Sequence, residues 1–287
     1  MLTCVAPAKI NLVLEVLGKR ADGYREIRSL VQTINLCDVL SFESADKASF
    51  ECTEPSLQTS DNLVVQAVEL LKKVSGYARG IRIRLEKRIP WGAGLGGGSS
   101  DAATTLSALN RLWELKLTTS DLVELAARLG SDVPFFIHGG AALIEGRGEK
   151  MTPLTVSMPG WFVLFLPPMP RIPRKTQQLY SRLDARHFTQ GQFVDKAVRI
   201  WSQDRRIAPS LLFNVFDKVA FDAFPGLEVY WKYFAEVGAK DIHLVGSGPA
   251  LFTPVDGEVE AEEVHRRLRQ QGLEAYCVST ILNQEIG

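Results

Sequence analysis

The chain has 287 residues, 46% of them apolar and 23% charged, which excludes a disordered or collagen-like polymer and suits one large or two modest domains. Lysine plus arginine number 33, as do aspartate plus glutamate, so bulk charge favours neither a nucleic acid nor an acidic membrane as partner. Cys4, Cys37, Cys52 and Cys277 are scattered without C-x-x-C or metal-ligand spacing, which reads as free thiols in a reducing cytoplasm.

A strand begins within a few residues of Met1, leaving no room for a leader peptide, and a cytoplasmic location is expected. The most apolar run, Trp161–Leu166, is far short of the ~20 residues that cross a bilayer. In the first strand Ile10, Leu12, Leu14 and Val16 share one face and Lys9, Asn11, Val13 and Glu15 the other. Asp22-Gly23 marks a turn, after which Tyr24 to Phe42 is extended. Asp61 is placed to cap a helix running to about Val74, with Gly76 just beyond it. Ile81, Ile83 and Leu85 alternate with Arg82, Arg84 and Glu86, a strand with one wet face. Ser99–Trp113 reads as a helix, and a second runs from about Asp121 to Leu129 and stops at Gly130. A third opens at Asp132-Val133-Pro134, and Ala141–Glu145 returns as a strand.

Polar and turn-forming residues at Pro153–Pro159 mark an expected boundary, giving domains 1–155 and 156–287. Beyond it come a strand at Phe162–Leu166, an irregular Pro167–Pro173, and helical patterns to about Val237. Strand, glycine loop, strand, helix and a last strand to Leu282 complete the chain. Strands and helices mixed without regular alternation predict an α+β fold.

The segment Ile89–Ala102, IPWGAGLGGGSSDA, carries most of the functional information. Gly92, Gly94, Gly96, Gly97 and Gly98 fall within seven positions, followed by Ser99 and Ser100. Backbone so poor in side chains approaches a ligand closely and turns its N–H groups to an anion, and a helix N-terminus follows at once. Three phosphate loops compete. Gly92, Gly94 and Gly97 satisfy G-x-G-x-x-G, but the preceding strand is not apolar on both faces and the acid expected about 20 residues on is missing. The Walker pattern fits from Gly92 except that its lysine is Gly98. A third type survives: proline, glycine run, paired serines, helix.

That type resembles the second motif of the GHMP kinases, small-molecule kinases named after galactose, homoserine, mevalonate and phosphomevalonate. Ala6–Tyr24 (APAKINLVLEVLGKRADGY), Leu129–Phe136 (LGSDVPFF) and Val245–Phe252 (VGSGPALF) are similar to further family segments in the family's order. The resemblance implies an α+β fold of two domains, the N-terminal one like ribosomal protein S5 domain 2 and the C-terminal one ferredoxin-like. It implies ATP-dependent phosphorylation of the 2-hydroxyl of a cytidine diphosphate-linked methylerythritol, in the non-mevalonate isoprenoid pathway. Pro90, Gly92, Gly94, Leu95, Gly96, Gly97, Gly98, Ser99 and Ser100 would hold the ATP phosphates, with Gly246, Ser247 and Gly248 closing the site. Asn62 would lie near the adenine, although it suits a helix start equally well.

The same resemblance makes Asp132 the general base, where Asp-Val-Pro alone is also an ordinary helix cap. It sets Lys9 beside that carboxylate, holding it ionised, where local pattern alone reads a solvated strand edge. Asn11 would hydrogen-bond the substrate. Tyr24 and Tyr180, the latter within Thr176-x-x-x-Tyr180, would clamp the cytosine ring, although either could simply pack. Arg25 departs from the histidine usual at its position, which leaves the reading of the cytosine edge open. Mg²⁺ is expected with the nucleotide phosphates, with Ser100 able to offer a hydroxyl and no acidic ligand assignable. No partner beyond the small-molecule substrate is implied, neither nucleic acid nor membrane, and His138, His187, His243 and His265 receive no role. Two other readings stay open. One is a dinucleotide oxidoreductase, from the three spaced glycines. The other is an RNA-binding face built from Arg79, Arg82, Arg84, Lys87 and Arg88.

Overall fold

A computed structural model of the chain describes residues 1–154, 160–170, 172–173, 175–204 and 209–281. Its contacts divide the chain into two compact units. Unit 1 comprises Met1–Ala8, Leu36–Trp91 and Gly96–Gly139; unit 2 comprises Lys9–Asn35, Gly92–Leu95 and Gly140–Gly287. Two long strands, β1 (Leu2–Lys19) and β2 (Arg25–Ala45), each give residues to both units. Residues 155–159 of the expected boundary lie outside the described residues, as does Leu282.

Unit 1 sets strands against four helices. β3 (Ser49–Cys52), which no alternation in the sequence announces, pairs parallel with β4 (Gly80–Glu86), and β4 pairs antiparallel with the second half of β2. Helix α1 (Leu63–Ser75) starts one residue later than expected because Asn62, not Asp61, is its cap. Gly76 ends it at φ 71°, a left-handed turn that costs a glycine little. Val64, Ala67, Val68 and Leu71 form its buried stripe at helical spacing. Helix α2 (Gly97–Leu112) begins inside the glycine run, two residues before the expected Ser99. α3 (Thr119–Leu129) begins earlier than expected because Thr118 and Asp121 close a capping box, and α4 (Val133–His138) follows Asp132. α1, α3 and α4 all pack on α2.

Unit 2 continues β1 and β2 with β5 (Ala141–Gly146) and β6 (Lys150–Leu154), β5 pairing antiparallel with β2 and with β6. β6 was hidden by Pro153, tolerated because β6 pairs on one side only. A second sheet holds β7 (Trp161–Leu166), with β10 and β11 on either side. Between β7 and those strands the chain forms α5 (Lys175–Arg182), α6 (Gln192–Asp204), β8 (Phe213–Asn214), α7 (Ala220–Ala223), α8 (Leu227–Glu236) and β9 (His243–Leu244). Then come β10 (Leu251–Val255), α9 (Glu258–Gln270) and β11 (Glu274–Ser279), giving the antiparallel order β11-β7-β10-β9. β8 is two residues embedded in helical pattern; it pairs parallel with β1 at Val13 and Leu14. The expected α+β class is observed.

The polar face of β1 is not wet. Lys9, Asn11, Val13 and Glu15 are all buried, Glu15 completely. The Glu15 carboxylate accepts from Val194 N at 2.8 Å, in the first turn of α6, where an anion is favoured. Around β7 the core gathers Val163, Phe165, Leu179, Phe216, Phe234 and Leu251. Phe165 is fully buried and meets Phe234 and Tyr230 edge-on at 5.4 and 6.2 Å.

All four cysteines are free thiols, Cys52 buried and the others half-buried. Burial raises each thiol pKa, that of Cys37 to about 11. No described helix is long and apolar enough to cross a membrane.

Phe165→Ala is expected to cost ~3–5 kcal/mol, the usual loss for emptying an aromatic site in a core that cannot collapse. Urea denaturation of both proteins measures it; a loss below about 1 kcal/mol would mean that β7 is not the centre of this core.

Candidate functional site

The glycine run is shaped by backbone that side chains would obstruct. Gly92, Gly94 and Gly96 have φ of 77°, 97° and 73°, the left-handed region. At Gly94 an added Cβ would stand 2.2 Å from the Val245 carbonyl oxygen, so the first glycine loop lies directly against the second. Leu95 is tied to β1 by its carbonyl, which accepts from Lys9 N at 2.9 Å. A Cβ on Gly246, at φ 54°, would meet Asn11 Oδ1 at 3.0 Å, Gly94 O at 3.3 Å and Lys9 Nζ at 3.3 Å. Unit 2 thereby brings Lys9, Asn11, Gly94 and Gly246 to one place.

A relay of hydrogen bonds orients the two β1 side chains. Lys9 Nζ donates to Asn11 Oδ1 at 2.6 Å, Asn11 Nδ2 to Ser29 Oγ at 2.8 Å, and Ser29 Oγ to Val13 O at 2.7 Å. The second loop has its own support, Asn214, which sequence reading passed over. Its amide donates to Leu244 O and Gly246 O at 2.9 and 2.8 Å and accepts from Phe216 N at 3.0 Å. Its signal was faint: one asparagine among apolar residues, 2% exposed once folded. Ser247 Oγ and Thr176 Oγ1 share a hydrogen bond of 2.9 Å, joining α5 to the loop.

The substrate candidates cluster around α5. Tyr24 is 56% exposed, with the Arg147 guanidinium 5.1 Å from its ring centre. Arg25 Nη2 donates to the carbonyls of Tyr180 and Leu183 at 3.1 and 3.4 Å. Arg25 therefore ties the residues beside Tyr24 to the helix of Tyr180, a structural task for its side chain. The half-buried Tyr180 ring meets Phe216 edge-on at 5.0 Å.

In unit 1 the end of the glycine run lies against a buried ion cluster. Lys87, 6% exposed, bridges Asp38 and Asp101, with Nζ 3.0 Å from Asp101 Oδ2. Asp38 also accepts from Arg88 N at 2.6 Å and Ile89 N at 2.8 Å, which directs the chain into Pro90 and the glycines. Burial pushes the Asp101 carboxyl pKa up and the Asp38 charge adds to it, with Lys87 opposing. A Cβ at Gly97 would collide with Lys87 Nζ at 2.8 Å, whereas one at Gly98 would meet only Leu63 Cδ1 at 3.9 Å. Ser99 is half-buried, and the fully buried Ser100 hydroxyl has no hydrogen-bond partner.

Asp132 occupies the cap position of α4 but makes no capping hydrogen bond, so the ordinary-cap reading is not realised. Asn62 does cap: Oδ1 accepts from Val64 N and Nδ2 donates to Leu57 O, both at 2.9 Å. No group of three histidine, cysteine or acidic side chains among the described residues is arranged to hold a metal. Mg²⁺ usually keeps water and substrate phosphates as most of its ligands, so a single orphaned hydroxyl such as that of Ser100 fits it.

Two alternatives lose their basis. Lys87 is buried with carboxylates, Arg82 pairs with Glu43 and Arg88 with Glu86, so β4 presents no unbroken basic face. β4 runs antiparallel to β2, and Gly97 lies within α2, which is not the parallel strand-turn-helix unit of a dinucleotide fold. His187 pairs with Asp184 and His243 with Asp217.

The model of the GHMP kinases N terminal domain matches residues 62–140, and that of the GHMP kinases C terminal domain matches 201–274. A 4-diphosphocytidyl-2-C-methyl-D-erythritol kinase of Dehalococcoides mccartyi is 46% identical over 281 residues, 98% of this chain and 99% of that protein. One from Bacillus pumilus is 37% identical, covering 97% of this chain and 96% of its own. A crystal structure of 4-(cytidine 5'-diphospho)-2C-methyl-D-erythritol kinase superposes with a TM-score of 0.82 at 33% identity, covering 97% of this chain and 99% of that one. Homoserine kinase from Cytophaga hutchinsonii shares the fold, with a TM-score of 0.74 at 17% identity over 99% and 96% of the two chains.

Gly94→Ala and Gly98→Ala separate packing from ligand approach. Gly94→Ala is expected to destabilise the protein by more than ~2 kcal/mol, because carbonyl and methyl overlap at a left-handed φ. Gly98→Ala is expected to melt normally yet bind ATP at least about tenfold more weakly. Calorimetry with both variants reads this; unchanged ATP binding in Gly98→Ala would remove the first helical turn from the phosphate site.

Proposed function

The chain belongs to the GHMP kinase family, and from that premise we propose that it transfers the γ-phosphoryl group of ATP to the 2-hydroxyl of 4-diphosphocytidyl-2-C-methyl-D-erythritol. The step belongs to the non-mevalonate isoprenoid pathway. The observation that carries the site assignment is the meeting of Gly94, Gly246, Lys9 and Asn11 in unit 2, two anion-binding loops beside a buried cation. The near-full-length likeness to kinases of this one substrate supports the choice of acceptor. Residues 1–155 serve as the ATP-binding part and 156–287 as the C-terminal part in this reading, with the two family-model matches on either side of that division.

The chemistry needs little beyond positioning and charge. The amides of residues 94–99, with those of Gly246 and Ser247, cradle the phosphates, while the amides of Ser100 and Gly248 donate to the Gly96 and Val245 carbonyls and shape the two loops. Asp132 takes the proton as the 2-hydroxyl oxygen bonds to the γ-phosphorus, and the bond to the β-phosphate oxygen breaks to release ADP. Lys9 offsets the negative charge on the reacting oxygens, and Asn11, fixed by Lys9 and Ser29, donates or accepts a hydrogen bond to the substrate. Mg²⁺, with Ser100 as its protein ligand, supplies further charge neutralisation on the phosphates when bound. Asn62 lies near the adenine with its carbonyl oxygen and one amide hydrogen already engaged, so it contributes packing and at most one further donor. Tyr24 and Tyr180 hold the cytosine ring, with Arg25 and Thr176 setting the positions of the elements that carry them.

A coupled ADP-release assay across a panel of alcohols, including the cytidyl substrate, mevalonate and homoserine, tests the assignment. Turnover is expected with the cytidyl substrate at least about a hundredfold above the others; preference for another alcohol would make this a different GHMP kinase. In the same assay Asp132→Asn should lower kcat by ~10²–10⁴ with little change in KM. Retention of more than half the activity would remove Asp132 from the base role.

Tyr24→Ala tests base recognition separately. Losing one stacking face at ~1–3 kcal/mol should raise KM for the cytidyl substrate roughly 5- to 150-fold and leave KM for ATP unchanged. An equal rise for both would contradict a cytosine-stacking role.

A further inference from the structure

Lys175 opens α5, one residue before Thr176 and five before Tyr180, and none of the roles above uses it. Its ammonium donates to the carbonyl oxygen of Gly248, at the far end of the second glycine loop. At the near end, Lys9 Nζ stands 3.3 Å from where a Cβ on Gly246 would sit. One three-residue loop is thus bracketed by two ammonium groups, both on unit 2, Lys9 buried and Lys175 half-buried. The hydrogen bond from Thr176 to Ser247 holds α5 in that register.

Burial, and then the Lys9 charge, lower the Lys175 pKa from 10.5 to about 8. An ammonium has three donors, and the Gly248 carbonyl uses one, so two remain for a ligand. The loop between the two lysines turns on left-handed glycines, Gly246 at φ 54° and Gly248 at φ 58°, and the missing side chain of Gly246 is what lets the Lys9 ammonium come so close to it.

We infer that Lys175 is a second cation of the phosphoryl-transfer site, donating to a non-bridging phosphate oxygen beside Lys9. The inference rests on the kinase reading above and adds a residue to it. The oxygen belongs either to the phosphoryl group and its nucleotide or to the diphosphate of the cytidyl substrate; both present the same chemistry to an ammonium.

The test compares the wild type with Lys175→Met, which keeps the aliphatic stem, and Lys175→Arg, which keeps the charge. Melting temperatures establish that both variants fold. A charge-assisted hydrogen bond of the usual strength predicts a loss in kcat/KM of about 10- to 150-fold in Lys175→Met, partly recovered in Lys175→Arg. A rise confined to KM for ATP assigns the oxygen to the nucleotide, and a rise confined to KM for the cytidyl substrate assigns it to the diphosphate. A fall in kcat with both KM values unchanged assigns it to the group in transfer. Calorimetric titration with a non-hydrolysable ATP analogue and with cytidine diphosphate reads the ground-state contact without turnover. Lys175→Met within threefold of wild type in kcat, both KM values and both titrations overturns the inference, while wild-type turnover leaves the kinase reading intact. A wild type that binds nucleotide but phosphorylates no alcohol overturns the kinase reading instead, and the titrations alone then decide Lys175.

Discussion

Removing an ammonium and two carboxylates from water costs several kcal/mol per ion, and only tight geometry with further hydrogen bonds offsets it. Lys87 and Asp38 meet that demand, since the lysine touches both acids and Asp38 spends its other oxygen on two successive backbone amides, whereas Asp101 keeps one oxygen without a hydrogen bond. Those amides belong to Arg88 and Ile89, the last residues before Pro90, so the cluster dictates how the chain enters the glycine run. Asp101 lies in the first turns of α2, so the same cation also anchors the helix that leaves it. Both ends of the loop in unit 1 therefore hang on one buried charge.

This separates the causes of a glycine run that looks uniform on paper. Gly97 is required by the protein itself, because Lys87 Nζ and Ile89 occupy the space of any side chain. Gly94 is required by the neighbouring Val245 carbonyl and by its backbone angle. Gly98 has neither excuse, being helical with only Leu63 near an added Cβ, and under the proposed kinase reading a ligand supplies the reason. In unit 2 the same logic applies to Gly246, whose missing Cβ is what lets Asn11, Lys9 and Gly94 approach one another.

How much could be read from the residues alone follows from the range of each interaction. Helix limits set by neighbours were close: Asn62 and Gly76 bracket α1, and Thr118 with Asp121 explains the early start of α3. The glycine run, the Asp132 segment and the second glycine loop stand out in the sequence because each is a pattern of a few consecutive residues. Lys87 was read as part of a basic face because its partners are 49 and 14 residues away, and alternation along β4 says nothing about the end of the strand. Lys9 and Asn11 looked solvated because the sequence of β1 cannot reveal what covers its second face. β3, β6 and β8 were missed because strands of two to five residues exist only by pairing. Arg25 showed its departure from the family pattern, but its attachment to the carbonyls of Tyr180 in α5 and Leu183 just beyond it depends on residues 155 and 158 positions later.

The four cysteines carry a consequence for how the protein endures oxidants and electrophiles. A thiol reacts as its thiolate, and a group ionising near 11, as at Cys37, exposes only about one molecule in ten thousand in that form at neutral pH. Cys4, Cys52 and Cys277 are displaced in the same direction by the same desolvation. Alkylating reagents and peroxide therefore find slow targets throughout the fold, and inactivation of this protein by a thiol-directed compound would report unfolding before it reported chemistry at a site.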